Sequence, residues 1–125
     1  MSAPRALLVE DSPLNLELVT MVLEHAGFEV DGVGAGLEAC AKALTNAYDV
    51  IVLDLSLPDI DGLEVARRLR AHPATCTCPI VAVTGQIELA DEHEAYAVGC
   101  NGYITKPIDA RTFGQTILAF LRPRG

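Results

Sequence analysis

The sequence predicts an α/β fold in which a doubly wound, five-stranded parallel sheet has helices on both faces. Three observations indicate this fold. Short apolar runs alternate with helical stretches five times along the 125 residues. Three of the apolar runs lack polar alternation, as expected when helices cover both faces of a parallel sheet. The connecting loops are short, which is typical of consecutive β–α units.

The first two β–α units occupy residues 6–46. Residues 6–9 form an apolar run that predicts a strand. Residues 14–26 predict a helix that ends before Gly27, a residue type common just after helix C-termini. Residues 28–33 predict the second strand, and residues 37–46 predict the second helix.

The remaining three units follow the same pattern. Residues 50–53 are a continuous run of mostly β-branched side chains, followed by a Leu-Pro-Asp-Ile-Asp-Gly turn at 57–62 and a helix at 63–71. Residues 80–83 predict the fourth strand. The last predicted elements are a helix at 89–98 ending at Gly99, a strand at 102–104 and a helix at 110–121.

The extent of this pattern, the net charge and the lengths of the apolar runs limit the kinds of protein that this chain can be. The pattern uses nearly the whole chain, so we expect one domain over 1–125 without an attached output domain. The net charge of −8 disfavours direct contact with nucleic acid or an anionic membrane. No apolar run approaches the roughly 20 residues that span a bilayer, and the N-terminus lacks the apolar core of a signal peptide. We therefore expect a soluble cytoplasmic protein.

The four cysteines fit a cytoplasmic location. Cys40 and Cys100 lie in apolar, helix-like contexts and are expected to be small buried hydrophobic residues. Cys76 and Cys78 lack the second pair of ligands that a zinc site needs. Disulfides are not expected in a reducing compartment.

Polar residues follow four of the five predicted strands. Glu10 and Asp11 follow the first strand, and Asp54 ends the third. Thr84 ends the fourth strand, and Lys106 comes just after the fifth. The carboxyl ends of parallel strands meet at one edge of an open α/β sheet, where ligands bind. We therefore expect these side chains to converge.

The converging residues predict phosphoryl chemistry. Three carboxylates repel one another unless a cation is present, and such hard oxygen ligands suit Mg²⁺. Lys106 can pair with Asp54, and the Thr84 hydroxyl can donate to a phosphoryl oxygen. With these partners Asp54 can attack phosphorus and form an aspartyl phosphate. Each residue also has a structural interpretation when taken singly, for example Glu10 and Asp11 as acids at a helix N-terminus.

Four segments resemble the receiver domains of two-component response regulators. They are Leu-Val-Glu-Asp-Ser-Pro-Leu-Asn at 8–15, Val-Leu-Asp-Leu-Ser-Leu-Pro-Asp-Ile-Asp-Gly at 52–62, Val-Thr-Gly at 83–85 and Thr-Lys-Pro at 105–107. The order and separation of these segments are similar to the family's. The resemblance covers about residues 5–121 and implies a flavodoxin-like fold with strand order 2-1-3-4-5.

The resemblance implies a phosphoacceptor mechanism. Asp54 would be phosphorylated from a phosphohistidine on a sensor histidine kinase or histidine phosphotransfer protein, with Mg²⁺ required. Asp11 and Asp54 would supply metal carboxylates, Ser56 a backbone carbonyl, and Glu10 a more indirect contact. The chain would then catalyse only its own phosphorylation and dephosphorylation, and would not be an enzyme with a separate substrate.

The resemblance also implies a conformational switch. Phosphorylation would draw Thr84 inward and turn Tyr103, which would change the surface formed by residues 89–98, 102–104 and 110–121 for a downstream partner protein. The Lys106–Pro107 peptide bond is often cis in such proteins. Ser56 and Gln86 occupy positions that tune the access of water to the acyl phosphate, and they leave its lifetime open.

Several alternatives stay open. The chain could be a free-standing regulator, a relay intermediate or a receiver fragment of a hybrid histidine kinase. A phosphatase acting through an aspartyl intermediate would carry a second acid two residues after the nucleophile, where this chain has Ser56. A flavin or nucleotide binder would need a phosphate loop after the first strand, where Glu10 and Asp11 repel phosphate. The acidic residues near the fourth helix fit a basic partner or a solvated face: Glu88, Asp91, Glu92 and Glu94.

Overall fold

A computed structural model of the chain describes residues 3–85 and 89–121, apart from the side chains of 89–91. Five strands and five helices alternate within these residues. The strands are β1 (Arg5–Val9), β2 (Glu29–Val33), β3 (Val50–Asp54), β4 (Ile80–Thr84) and β5 (Gly102–Thr105). The helices are α1 (Pro13–His25), α2 (Gly36–Thr45), α3 (Gly62–Ala71), α4 (Leu89–Ala97) and α5 (Phe113–Leu118).

The strands form one parallel sheet with the order β2-β1-β3-β4-β5. This order confirms the predicted doubly wound, flavodoxin-like fold. After β1 the chain adds β2 on one side and then β3, β4 and β5 on the other, so the strand order switches between β1 and β3. Open α/β sheets bind ligands at such a switch point. The register pairs Val9 with Leu53 and Asp54 with Val83, so the carboxyl ends of the three central strands are level.

Side chains of the central strands divide between two apolar cores. Ile51 and Leu53 pack on the face covered by α2 and α3, whereas Val50 and Val52 pack on the face covered by α1 and α5. All five positions of β3 are buried, as the run without polar alternation predicted. Each fully buried large aliphatic side chain stabilises the fold by about 1.5–3 kcal/mol. The central strands are therefore a rigid base for the residues that follow them.

Most predicted element boundaries lie within a residue or two of those observed, and α5 is the exception. A helix was expected over 110–121, but α5 spans Phe113–Leu118. The Asp109 carboxylate accepts a hydrogen bond from the Arg111 amide at 3.0 Å, and the Asp109 carbonyl accepts from the Phe113 amide at 2.8 Å. These bonds form a turn before the helix. After it, the Leu121 amide donates to the Leu118 carbonyl, which is the tighter pattern of a 3₁₀ turn.

Two glycines end helices as predicted. Gly27 and Gly99 follow α1 and α4 with φ angles of 104° and 107°, a region that side chains disfavour. Of the cysteines, Cys100 is buried as expected, but Cys40 is only half-buried at the edge of the α2–α3 core. No helix within 3–85 and 89–121 is long and apolar enough to cross a membrane.

Two residues and one side chain singled out from the sequence lie outside the described part. These are Gln86, Glu88 and the side chain of Asp91. Glu92 and Glu94, also on the acidic stretch, are exposed.

Charged and aromatic residues hold the start of β1 to its neighbours. The Arg5 guanidinium donates to Asp31 at 2.9 Å and lies 5.2 Å from the centre of the Tyr48 ring. The Tyr48 hydroxyl also donates to Asp31, at 2.7 Å. Hydrogen bonding from Tyr48, and then the charge of Arg5, lower the pKa of Asp31 despite its partial burial. The charged form of Asp31 therefore stabilises the folded state.

We expect Asp31→Asn to lower the free energy of unfolding at pH 7, because it removes the charge that Tyr48 and Arg5 stabilise. Solvent partly screens Asp31, which limits the expected loss to about 1 kcal/mol. The folded-state pKa is below the unfolded one, so this stabilisation is complete above the ordinary pKa of 3.8 and is lost as pH falls through the folded value. Urea unfolding of both proteins from pH 7 downward measures the difference. A difference that stays constant down to pH 3 would contradict this account.

Candidate functional site

The β1–α1 connection carries two acidic residues in different environments. The Glu10 amide donates to the Val33 carbonyl at 3.0 Å, which extends the β1–β2 pairing by one residue. The chain then turns into α1, where Ser12 is the N-cap and Pro13 is the first helical residue. As a result the Glu10 side chain is 4% exposed, whereas Asp11 is exposed at the mouth of the site.

Three carboxylates meet at the carboxyl edge of the sheet. Each of Glu10, Asp11 and Asp54 contributes one oxygen atom, and these atoms all lie within 4.8 Å of one another. Asp54, at the end of β3, is also 4% exposed. The parallel register of β1 and β3 causes this meeting, because it makes the ends of the two strands level.

Lys106 neutralises part of this negative charge. Its ammonium nitrogen lies 2.9 Å from Glu10 Oε1 and 3.0 Å from Asp54 Oδ2. The Lys106 amide donates to the Thr84 carbonyl at 2.7 Å, which fixes the backbone of this lysine at the end of β4. The following peptide bond, Lys106–Pro107, is cis, as the resemblance implies.

Burial and pairing act in opposite directions on the two ionisable partners. Burial raises the pKa of Glu10, and the neighbouring Asp54 raises it further, while Lys106 and the Ser12 amide lower it less strongly. Burial tends to lower the pKa of Lys106, but the hydrogen bonds with Glu10 and Asp54 outweigh it, so the pKa is raised. Lys106 is therefore a firmly charged ammonium, and the site holds excess negative charge around it.

The donor set fits a hard divalent cation. Glu10, Asp11 and Asp54 supply hard oxygen atoms that are close enough together to share one cation, and Mg²⁺ prefers such ligands. Asp11 is open to solvent, so a hydrated ion has access to the cluster. One ammonium cannot neutralise three carboxylates, and a divalent cation would reduce the remaining repulsion. These residues would hold Mg²⁺ through carboxylate oxygens.

The loop after β3 is held at both of its ends. The Leu55 amide donates to the Val83 carbonyl at 3.1 Å, and the Gly62 amide donates to the Leu55 carbonyl at 3.2 Å. A Cβ atom on Gly62 would lie 2.6 Å from Leu55 Cα, so only glycine permits this approach. Within the loop, the Ser56 amide donates to Asp54 Oδ1 at 2.9 Å. This bond orients the Asp54 carboxylate.

Asp59, which the sequence pattern marks only as part of a turn, has a further role in this loop. Its carboxylate accepts hydrogen bonds from the first two amides of α2, Gly36 at 2.8 Å and Leu37 at 2.9 Å. The N-cap residue of α2, Ala35, makes no side-chain capping bond. The missing capping residue was the available sequence signal, because the first amides of a helix need acceptors.

The two residues expected to form the switch lie on neighbouring strands, Thr84 at the end of β4 and Tyr103 on β5. Thr84 is buried and lines a cavity of about 340 Å³ together with Ser56 and Leu57 of the loop and Glu94 of α4. Tyr103, on β5, is half-buried and packs against the core on the α2–α3 face of the sheet. A second cavity of about 450 Å³ extends from Glu10, Asp54 and Lys106 towards α1 and α5.

Comparison with known families and proteins gives one consistent result. The family described as "Response regulator receiver domain" matches residues 6–118. The chain is 36% identical over 115 residues to the polar-differentiation response regulator DivK of Brucella ovis, covering 92% of this chain and 94% of DivK. It is 34% identical over 119 residues to the DNA-binding dual master transcriptional regulator RpaA of Synechocystis, covering 95% of this chain. The chain spans about half of RpaA, 49% of its length.

Two solved structures are similar over almost the whole chain. The chemotaxis protein CheY4 of Vibrio cholerae has a TM-score of 0.91 and 31% identity, covering 96% of this chain and 100% of CheY4. The receiver domain of the sensor histidine kinase PA1611 of Pseudomonas aeruginosa has a TM-score of 0.88 and 29% identity, covering 95% and 98% of the two chains. The latter structure has a magnesium ion coordinated in its active-site cleft.

We expect Lys106→Met to lower the free energy of unfolding by about 2 kcal/mol in metal-free buffer. The change keeps the length of the side chain but leaves two buried carboxylates without their cation, and partial exposure of Lys106 moderates the cost. Urea unfolding in the presence of a chelator measures the loss. The matched control is Lys42→Met on α2, for which a change below about 0.5 kcal/mol is expected. Equal effects of the two substitutions would contradict the role of Lys106.

Proposed function

The chain belongs to the family of response regulator receiver domains, and we propose that Asp54 accepts a phosphoryl group from a phosphohistidine of a sensor histidine kinase or histidine phosphotransfer protein. The observation that supports this most directly is the cluster of Glu10, Asp11 and Asp54, with Lys106 bonded to two of them. Receiver domains are signalling modules, so the reaction modifies the protein itself rather than a separate substrate.

The residues around Asp54 have distinct proposed roles. An Asp54 oxygen forms the new P–O bond while the P–N bond to the donor histidine breaks, and the departing imidazole nitrogen takes up a proton. Lys106 and the Thr84 hydroxyl stabilise charge on the phosphoryl oxygens. Asp11, Asp54 and the Ser56 carbonyl are the proposed metal ligands, with Glu10 acting less directly. The chemistry that Mg²⁺ supplies when bound is neutralisation of charge on the carboxylates and the phosphoryl group.

Phosphorylation is proposed to change the surface formed by α4, β5 and α5, which binds a downstream partner protein. A phosphoryl group on Asp54 favours the state in which Thr84 and Lys106 reach its oxygens. Thr84 lines a cavity next to the loop that follows Asp54, so space exists for its side chain to move. Tyr103 lies on β5, and its side chain is proposed to turn when Thr84 moves.

The proposal treats residues 1–125 as one receiver domain that acts through proteins. The net charge of −8 favours neither nucleic acid nor an anionic membrane as a direct partner. None of the four cysteines forms a disulfide, which is compatible with the cytoplasm as the proposed location.

We expect Asp54→Asn to abolish labelling by acetyl phosphate, because the amide cannot act as the nucleophile. Intact-mass spectrometry should show addition of one phosphoryl group to the unaltered chain in the presence of Mg²⁺, and none after addition of a chelator. The control is Asp49→Asn, since the Asp49 carboxylate bonds to the Arg5 amide at the opposite end of the strands. Labelling of the Asp54→Asn variant would disprove the assignment.

We expect Thr84→Ala to slow phosphorylation without preventing it and to lose the surface change, since the hydroxyl that would stabilise a phosphoryl oxygen and couple it to α4 and β5 is absent. Hydrogen exchange before and after acetyl phosphate treatment measures that change over residues 89–121. Thr45→Ala, on the exposed end of α2, should behave like the unaltered chain. A full exchange response in the Thr84→Ala variant would rule out this residue as the switch.

A further inference from the structure

Two parts of the chain far apart in sequence share one capping interaction. Asp59 lies 22 residues after Leu37 and 23 after Gly36. Each of its two carboxylate oxygens accepts a hydrogen bond from the amide of one of these residues. Because Ala35 supplies no cap, the start of α2 depends on the loop that follows β3. The dependence is mutual, since the same two bonds fix the middle of that loop. The loop is the one that carries Ser56, a proposed metal ligand.

We propose that Asp59 is a positioning residue for phosphorylation, which holds the loop after β3 against α2 and so keeps Ser56 in place for metal binding. This inference rests on the function proposed above. Asp59 is neither a proposed metal ligand nor one of the residues proposed to contact the phosphoryl group. It acts through the backbone of residues 56–58, which connects it to Asp54.

The other contacts of the loop explain why this bond matters. At its base, the Leu55 amide donates to Val83 of β4, and the Leu55 carbonyl accepts from the Gly62 amide. Between that base and Asp59 lie only Ser56, Leu57 and Pro58, of which Ser56 and Pro58 are exposed. Without the Asp59 bonds, the exposed part of the loop would gain conformational freedom that metal binding must then remove.

Packing beside Asp59 supports the same anchoring point. A Cβ atom on Gly36 would lie 2.7 Å from Ile60 Cγ1 and 2.8 Å from Val65 Cγ2, so the loop and α3 lie directly against the first residue of α2. Glycine at this position permits the close approach that brings the Asp59 oxygens to the helix amides. The anchor therefore combines two hydrogen bonds with the apolar packing of Ile60 and Val65 against Gly36.

A carboxylate suits this anchor better than other acceptors. It accepts one bond on each oxygen, and its negative charge is favourable at the positive end of the helix dipole. Hydrogen bonds from the amides of Leu37 and then Gly36 lower the pKa of Asp59, so it is charged at neutral pH. An asparagine would keep one oxygen acceptor and lose the charge. The Mg²⁺ affinity of Asp59→Asn is therefore expected to lie between that of the unaltered chain and that of Asp59→Ala.

The experiment compares metal affinity with the rate of labelling. Isothermal titration with MgCl₂ gives the dissociation constant, and intact-mass spectrometry gives the rate of labelling by acetyl phosphate at saturating Mg²⁺. We expect Asp59→Ala to weaken Mg²⁺ binding about tenfold, the effect typical of residues that support metal ligands. The labelling rate at saturating Mg²⁺ should stay within about twofold, since the reacting groups are intact. Asp11→Ala, which removes a proposed ligand, gives the upper limit of the loss.

Two further variants separate positioning from simple helix stability. Asp49→Ala removes a carboxylate that also bonds to a backbone amide, but at the opposite end of the strands. It should lower the urea midpoint and leave Mg²⁺ affinity unchanged. Ala35 has the extended backbone of an N-cap, with φ −145° and ψ 152°, so Ala35→Ser can cap α2 locally. Combined with Asp59→Ala, it should recover the urea midpoint but not the Mg²⁺ affinity.

The outcomes distinguish this inference from the proposed function. If the unaltered chain neither binds Mg²⁺ nor is labelled, the proposed function and this inference both fail. If the unaltered chain binds and is labelled, and Asp59→Ala binds Mg²⁺ equally well, only the inference fails. Recovery of Mg²⁺ affinity together with stability in the Ala35→Ser, Asp59→Ala protein would show that Asp59 is only a helix cap, and would also overturn it.

Discussion

Glu10 and Asp54 are each 4% exposed and both lie within hydrogen-bonding distance of Lys106, so two buried carboxylates share a single ammonium. Burying like charges together is costly unless an opposite charge is present. Lys106 supplies that charge but does not neutralise the whole site, because the exposed Asp11 adds a third carboxylate. The same imbalance that requires Lys106 makes the pocket attractive to a divalent cation. The stability of this pocket and its proposed metal affinity therefore have one electrostatic origin.

The rest of the fold fixes the positions of these charged residues. Parallel pairing makes the ends of β1, β3 and β4 level, and buried aliphatic residues on both faces keep those strands rigid. The loops at the edge of the sheet are less buried and need separate anchors. Ser12 caps α1 next to Glu10, while Asp59 joins the loop after β3 to α2. Rigid strands thus carry the charged groups, and capping bonds orient the loops around them.

The geometry also separates the receiver interpretation from its main rival. An aspartyl-phosphate phosphatase would have an acid two residues after its nucleophile. Ser56 occupies that position, and its backbone amide donates to Asp54 Oδ1. This contact orients the proposed nucleophile, and serine supplies no acid for releasing a leaving group. Family membership and the residue at this position therefore both favour the receiver interpretation.

The sequence by itself determined the α/β class, most element boundaries and the acceptor candidate, because apolar periodicity and the residues that end strands are local properties of the chain. Resemblance added the strand order. Only the tertiary structure decided distances such as that between Glu10 and Lys106, which are 96 residues apart. It also decided that α5 begins after a turn formed by Asp109, and that Asp59 caps a different helix. Such contacts depend on how separate segments pack, and no local pattern encodes that packing.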